Sequence, residues 1–173
     1  MDARPRKPRS TTLPRLGAHE LLQKAMLPIK DFVSIYDGPE VFLRDLNKVG
    51  REQGLLWSAR WCLDEVCNGG FDQFFGNSTG VLAPEAVQGF RMIRARAMVQ
   101  ITSRAMAMLG SPYLRDRTER GRALRKIRKP GKRREEWDPF YNLDEQVYAL
   151  EKRGGFEPLA VEFIRRNMAL FFK

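Results

Sequence analysis

A single histidine, His19, and only two cysteines, Cys62 and Cys67, stand in this 173-residue chain, and that scarcity excludes several chemistries at once. A structural zinc site takes four Cys or His ligands, more than the whole sequence holds. A Ser–His or Cys–His catalytic pair would have to recruit His19 from a short predicted helix beside a polar tail, so an ordinary surface or packing role is the simpler reading. The cysteines lie five apart on one predicted helix, which points them to different sides and keeps them too far apart for a disulfide. Two reduced, buried thiols in a reducing, cytoplasmic compartment are expected. No apolar run reaches the roughly 20 residues needed to cross a bilayer, and the start is basic and Pro-rich with no apolar stretch behind it. Neither a membrane contact nor a secretion leader is expected. No phosphate-cradling Walker loop and no glycine-rich dinucleotide fingerprint follows a strand. Alternating strand patterns are lacking too, which leaves an all-α fold.

What the sequence does hold is positive charge, and it is unevenly spread. The net charge is +10, of which residues 1–15 carry +4 and residues 115–134 carry +9, leaving the remainder at −3. A near-neutral body thus bears two basic appendages. Residues 1–15 hold three prolines and scarcely any apolar side chain, too little to offset ordering entropy, so a disordered basic tail is expected there, with a single helical domain over 16–173. The second segment contains Arg115, Arg117, Arg120, Arg122, Arg125, Lys126, Arg128, Lys129, Lys132, Arg133 and Arg134. Such a density could neutralise several phosphates and bind nucleic acid in a salt-sensitive way. The competing readings are solvated helix surface or contact with an acidic protein, since only Tyr113 and Trp137 lie close by for base stacking.

Apolar spacing marks the helices. Leu21, Leu22, Ala25 and Met26 predict one over 18–27, and Val41, Leu43 and Leu46 another over 40–49. The clearest in the first half runs over 52–67, where Leu56, Ala59, Leu63 and Val66 recur at three and four and Leu55, Trp57, Trp61 and Cys62 widen the apolar surface. Pro84 suits a first helical position, and Val87, Phe90, Ile93, Ala97, Ile101, Ala105 and Met108 continue in register to Gly110, as one helix or two collinear ones. Residues 116–128 read as a marginal basic helix broken by Gly121 and ended by Pro130 and Gly131. Leu143, Val147 and Leu150 mark the next, Gly154 and Gly155 a turn, and Leu159 to Leu170 the last.

Between the third and fourth of these runs sits the most informative block: Asn68, Gly69, Gly70, Phe71, Asp72, Gln73, Phe74, Phe75, Gly76, Asn77, Ser78, Thr79 and Gly80. Three phenylalanines cannot lie open in water cheaply, while the glycines and asparagines block an ordinary long helix. A tightly packed corner is predicted, with Phe71, Phe74 and Phe75 entering the core as one helical turn instead of serving as a base-stacking platform. Asp64, Glu65 and Asp72 cluster beside it. They could do acid–base work or hold a hard cation, but consecutive carboxylates diverge by about 100° on a helix, and one solvated group plus one bonding loop amides is the plainer arrangement. No catalytic residue, metal or cofactor is assigned.

Glu65-Val66, the 68–80 block, Pro84-Glu85-Ala86 and the helix end at Leu109-Gly110 together resemble the bacterial DNA-mimic-protein-like helical domain family, over about residues 40–172. Leu143-Asp144, Val147-Tyr148 and Phe171 resemble its later segments. The resemblance implies an all-α domain without known catalytic residues or cofactor that works by binding a protein partner. Its named member imitates DNA by displaying acidic side chains to a transcription regulator, whereas this chain has a pI near 10.1. The family tends to break its long helix at a Gly-Ala step, and the matching place here reads Arg94-Ala95.

Overall fold

The computed structural model describes residues 16–27 and 29–172, so the tail expected over 1–15 lies outside the described residues. Ten helices and no strand occur among them: α1 Ala18–Met26, α2 Pro39–Leu46, α3 Arg51–Gly76, α4 Ala83–Met92, α5 Arg96–Ala107, α6 Arg117–Ile127, α7 Arg134–Trp137, α8 Tyr141–Glu151, α9 Phe156–Arg166 and α10 Met168–Phe171. Single 3-10 turns at Ile29–Asp31 and Ser78–Leu82 join some of them. The all-α expectation therefore holds, and one main core runs from Leu21 in α1 to Phe171 in α10.

α3 is the axle of this core. It touches α1, α4, α6, α8 and α10, which is why Leu56, Ala59, Cys62, Leu63 and Val66 are all buried on it. The first stretch of α3 ends at Gly70, three residues beyond the expected stop near 67. Only Gly70 leaves helical geometry, at φ 79° and ψ 178°, and Phe71 resumes the helix, so the corner is a kink within α3. A glycine is needed there twice over, because that backbone is closed to side chains and a Cβ would overlap the Arg134 guanidinium and the Asp144 carboxylate. Farther along, Gly89 of α4 lets that helix press on the Leu55 carbonyl of α3, where a Cβ would collide.

α4 and α5 are two helices, not one. Ile93 caps α4, the Arg94 N–H donates to Arg91 O at 3.1 Å and the Ala95 N–H to Phe90 O at 2.8 Å, with Arg94 at φ 63°. That is a Schellman stop with arginine in the left-handed position where glycine is usual. The break falls at Arg94-Ala95. In α6, Asp116 caps the start by accepting from the Glu119 N–H at 2.9 Å, and Gly121 does not interrupt the helix as expected. The last predicted helix is split at Asn167, whose φ of −132° lies outside helical range and whose side-chain amide bonds back to Phe163 O at 2.8 Å. The one-turn α7 was not visible in the periodicity; Glu136 creates it by accepting the N–H groups of Lys132 and Arg133.

Candidate functional site at the kinked corner

Phe71, Phe74 and Phe75 are fully buried, as expected, and Phe75 packs on Phe71, Phe74, Tyr113 and Phe140 with ring centroids 5.2–6.0 Å apart. Burial of each ring favours the fold by roughly 2–3 kcal/mol. The nearby carboxylates divide in the plainer way. Asp64 is exposed and pairs with Arg60 one turn earlier at 2.8 Å. Glu65 accepts from Gln73 at 3.2 Å and from Asn77 at 3.0 Å, tying both ends of the kink together. Asn68 is exposed beside it. Glu65 and Asp72 do not share a site.

Asp72 instead receives a two-pronged bond from Arg128, Nε at 2.8 Å and Nη2 at 2.6 Å, and that guanidinium lies 5.8 Å from the centre of the Trp137 ring. The bond to Asp72 raises the Arg128 pKa. Behind it a second cluster closes over the kink. Asp144, buried on α8, accepts the Phe71 N–H at 2.9 Å, which is the donor that the Gly70 break leaves without a helical partner. Arg134 bonds the other Asp144 oxygen, Asp138 Oδ2 at 2.9 Å and Gly69 O at 3.3 Å. Burial pushes the Asp144 carboxyl up to about 7, reinforced by the Asp138 and Asp72 charges and opposed by the Phe71 N–H and Arg134. Burial also works against charge on Arg134, yet its bonds to Tyr148 and Asp138 and the Asp144 carboxylate outweigh that and hold its pKa above the ordinary value.

A third anchor lies where α3 ends. Arg120 of α6 is fully buried and donates to Phe75 O at 2.9 Å, Asn77 O at 2.9 Å and Arg115 O. Arg115 grips Glu85 through both terminal nitrogens, at 2.9 and 2.8 Å, and Val81 O at 3.0 Å. Tyr113 donates to Gly80 O at 2.7 Å, and its burial raises the phenol's pKa. Arg117 reaches Gly76 O at 3.0 Å, and Arg133 pairs with Glu136 at 2.7 Å. The structure therefore sorts the eleven basic residues of 115–134. Arg115, Arg120, Arg128 and Arg134 clamp the corner, whereas the exposed Arg122, Arg125, Lys126, Lys129 and Lys132 have no side-chain partner among the described residues. The periodicity gave no hint of this division; the one available signal was that Leu143-Asp144 and the corner belonged to the same resemblance.

The surface holds two features that the sequence did not flag. Leu27, Phe32 and Tyr36 are 52%, 63% and 78% exposed, and Leu43 also stands out. Beside Leu27 a cavity of about 400 Å³ is lined by Leu22, Met26, Trp57 and Trp61, with His19 and Asp64 at its edge. A larger cavity, about 790 Å³, lies between Arg60 and Arg166 along α9 and includes Glu151 and Glu157; neither cavity is lined by Glu65 or Asp72. His19 is exposed and bonds Gln23 at 2.8 Å. Cys62 is buried and its thiol pKa raised by that burial, but Cys67 is exposed, a correction that follows from its 100°-per-residue offset on α3. Among the described residues no group of three or more His, Cys, Asp or Glu could hold a metal ion, and no helix is long and apolar enough to cross a membrane.

No curated protein and no solved structure matches the chain. A family model does: the one described as DMP19-like protein fits residues 47–167, from just before α3 to the end of α9. That span holds the kinked helix, the glycine pair, the phenylalanine turn and the Asp144 that completes it, and the chain belongs to the DMP19-like protein family.

Proposed function

We propose that this is a non-enzymatic interaction protein that binds a protein partner through its helical surface. The observation that carries the reading is the concentration of large apolar side chains in water around 27–43. Phe32 and Tyr36 stand more than half exposed in the segment that follows Leu27, which itself lines the Trp57–Trp61 groove, while most other large apolar side chains among the described residues are buried. Aromatic and methionine side chains around a shallow groove have the composition of a contact-surface centre, and an apolar patch exposed without a partner is costly. The corner supports the same view from the other side. Glu65, Asp72 and Asp144 each bond groups that hold the fold, so their chemistry is structural. Ser34 accepts the Tyr36 N–H at 3.3 Å and donates to Asp37 at 2.6 Å, which presents the Tyr36 ring on an ordered loop.

The test is capture from nuclease-treated host extract with the full chain and with a Phe32→Ser/Tyr36→Ser variant. A protein retained in about 300 mM salt by the parent and released by the variant is expected, since apolar contacts are not screened. Identical proteins on both would sink the reading.

A further inference from the structure

We propose that the face formed by α4, its left-handed stop and α5 contacts the phosphate backbone of duplex nucleic acid. This goes beyond the protein-binding reading and uses different residues. Between residues 86 and 114 the chain holds Arg91, Arg94, Arg96 and Arg104 and not one Asp, Glu or Lys. All four arginines are exposed, and among the described residues none is in an ion pair. One acid, Glu162, shares a shallow groove with Arg94 but bonds Arg166. Four unpaired guanidinium groups on two successive helices and the turn between them repel one another, a cost that a polyanion reduces.

Three features favour nucleic acid over an acidic protein. All four cations are arginine, whose planar fork meets a phosphate with two parallel bonds. On the outer face of α5, Arg96, Gln100, Ser103, Arg104 and Ala107 are all exposed, a row of donors and one small side chain with no carboxylate to repel a phosphate. Arg96 and Arg104 lie eight residues apart, about 12 Å along the helix, which is about the width of the major groove and so brings the two guanidinium groups to phosphates on its opposite walls. Arg94, held in the left-handed position of the Schellman stop, projects from the turn between the helices.

The probe is a generic 24-base-pair DNA duplex, titrated by fluorescence anisotropy with the full chain in about 50 to 200 mM salt. Four phosphate contacts give a slope of about −3.6 in log affinity against log salt, or about a hundredfold loss over that range. The variant Arg91→Gln, Arg94→Gln, Arg96→Gln, Arg104→Gln is expected to bind at least tenfold more weakly in 100 mM salt with the slope reduced by about that amount. The smaller Arg96→Gln/Arg104→Gln variant, altered only on the exposed helix face, is expected to lose about half of it. An α6 variant with Arg122, Arg125, Lys126 and Lys129 changed to Gln serves as the comparison and is expected to lose less than the α4–α5 variant. No binding by the parent in 50 mM salt, an α4–α5 variant within twofold of the parent, or equal binding of a polyglutamate chain, which would assign the face to an acidic protein, each overturns the proposal.

Discussion

At Gly70 a single backbone conformation decides whether the corner forms. Replacing it with alanine sets a Cβ into the Arg134 and Asp144 groups at a φ of 79°, so Gly70→Ala should cost about 3 kcal/mol or more, read as a lower urea midpoint. Gly69→Ala is the control: its Cβ meets only the movable end of Gln73 and gains helix propensity, so the expected change is within about 1 kcal/mol. Arg94 runs the opposite way. It occupies a left-handed position that costs a non-glycine residue about 1 kcal/mol, so Arg94→Gly should raise stability by about 0.5–1 kcal/mol; a loss would mean that the Arg94 side chain contributes to folding. Asp144 carries a pH signature. Its carboxyl titrates near 7 in the folded protein against an ordinary value of 3.8, so the folded state keeps the proton longer. The stability this supplies is complete below about pH 4 and is lost as pH rises through 7. Asp144→Asn removes that dependence and leaves the Phe71 N–H and Arg134 poorly matched. The parent should therefore exceed the variant in unfolding free energy by more at pH 5 than at pH 8; a gap that widens toward pH 8 contradicts the burial argument.

Between elements, Arg120 is the joint that holds α6 to the end of α3. Of its three carbonyl partners only Asn77 O has another donor, the Gly80 N–H at 3.2 Å, so Arg120→Ala strips Phe75 O and Arg115 O of the guanidinium and should cost about 3–5 kcal/mol. Arg120→Lys keeps the charge but not the planar fork, and should recover less than half of that, with hydrogen exchange accelerating in α6 before α3. Arg120 also shows what could be read in advance. Composition placed it with ten other cations in the basic segment 115–134, and only the fold reveals that its neighbours are Phe75 and Gly80. The helices themselves were legible because Leu56, Leu63 and Val66, or Phe90, Ile101 and Ala105, repeat at three and four. Their ends were less so. The α4–α5 break depends on Arg94 adopting a glycine's conformation, and the kink of α3 depends on Asp144, 73 residues away, replacing one lost backbone bond. The aromatic turn declared itself as core by composition alone. The partners of Asp72 and Asp144 did not, because ion-pair choice is set by tertiary neighbours and leaves no periodic trace.

Over the whole molecule the charge bookkeeping is lopsided. Asp72, Glu85, Asp138 and Asp144 around the corner are bound to arginines, while Arg91, Arg94, Arg96, Arg104, Arg122, Arg125, Lys126, Lys129 and Lys132 have no side-chain partner among the described residues, in a chain of net charge +10. Like-charge repulsion among them opposes the compact state and is screened as the Debye length shrinks. Salt also weakens the exposed pairs such as Lys24–Glu20 and Arg166–Glu162, but pairs of that kind are worth only about 0–1 kcal/mol each. Repulsion should win. Raising sodium chloride from about 20 to about 300 mM is expected to increase the thermal midpoint, by about 2–4 °C for each kcal/mol relieved. The α4–α5 glutamine variant, with four of the unpaired cations gone, should begin with a higher midpoint and gain less from salt. A midpoint that falls with salt in the parent would show that the exposed ion pairs, and not the cationic faces, dominate the electrostatics of this fold.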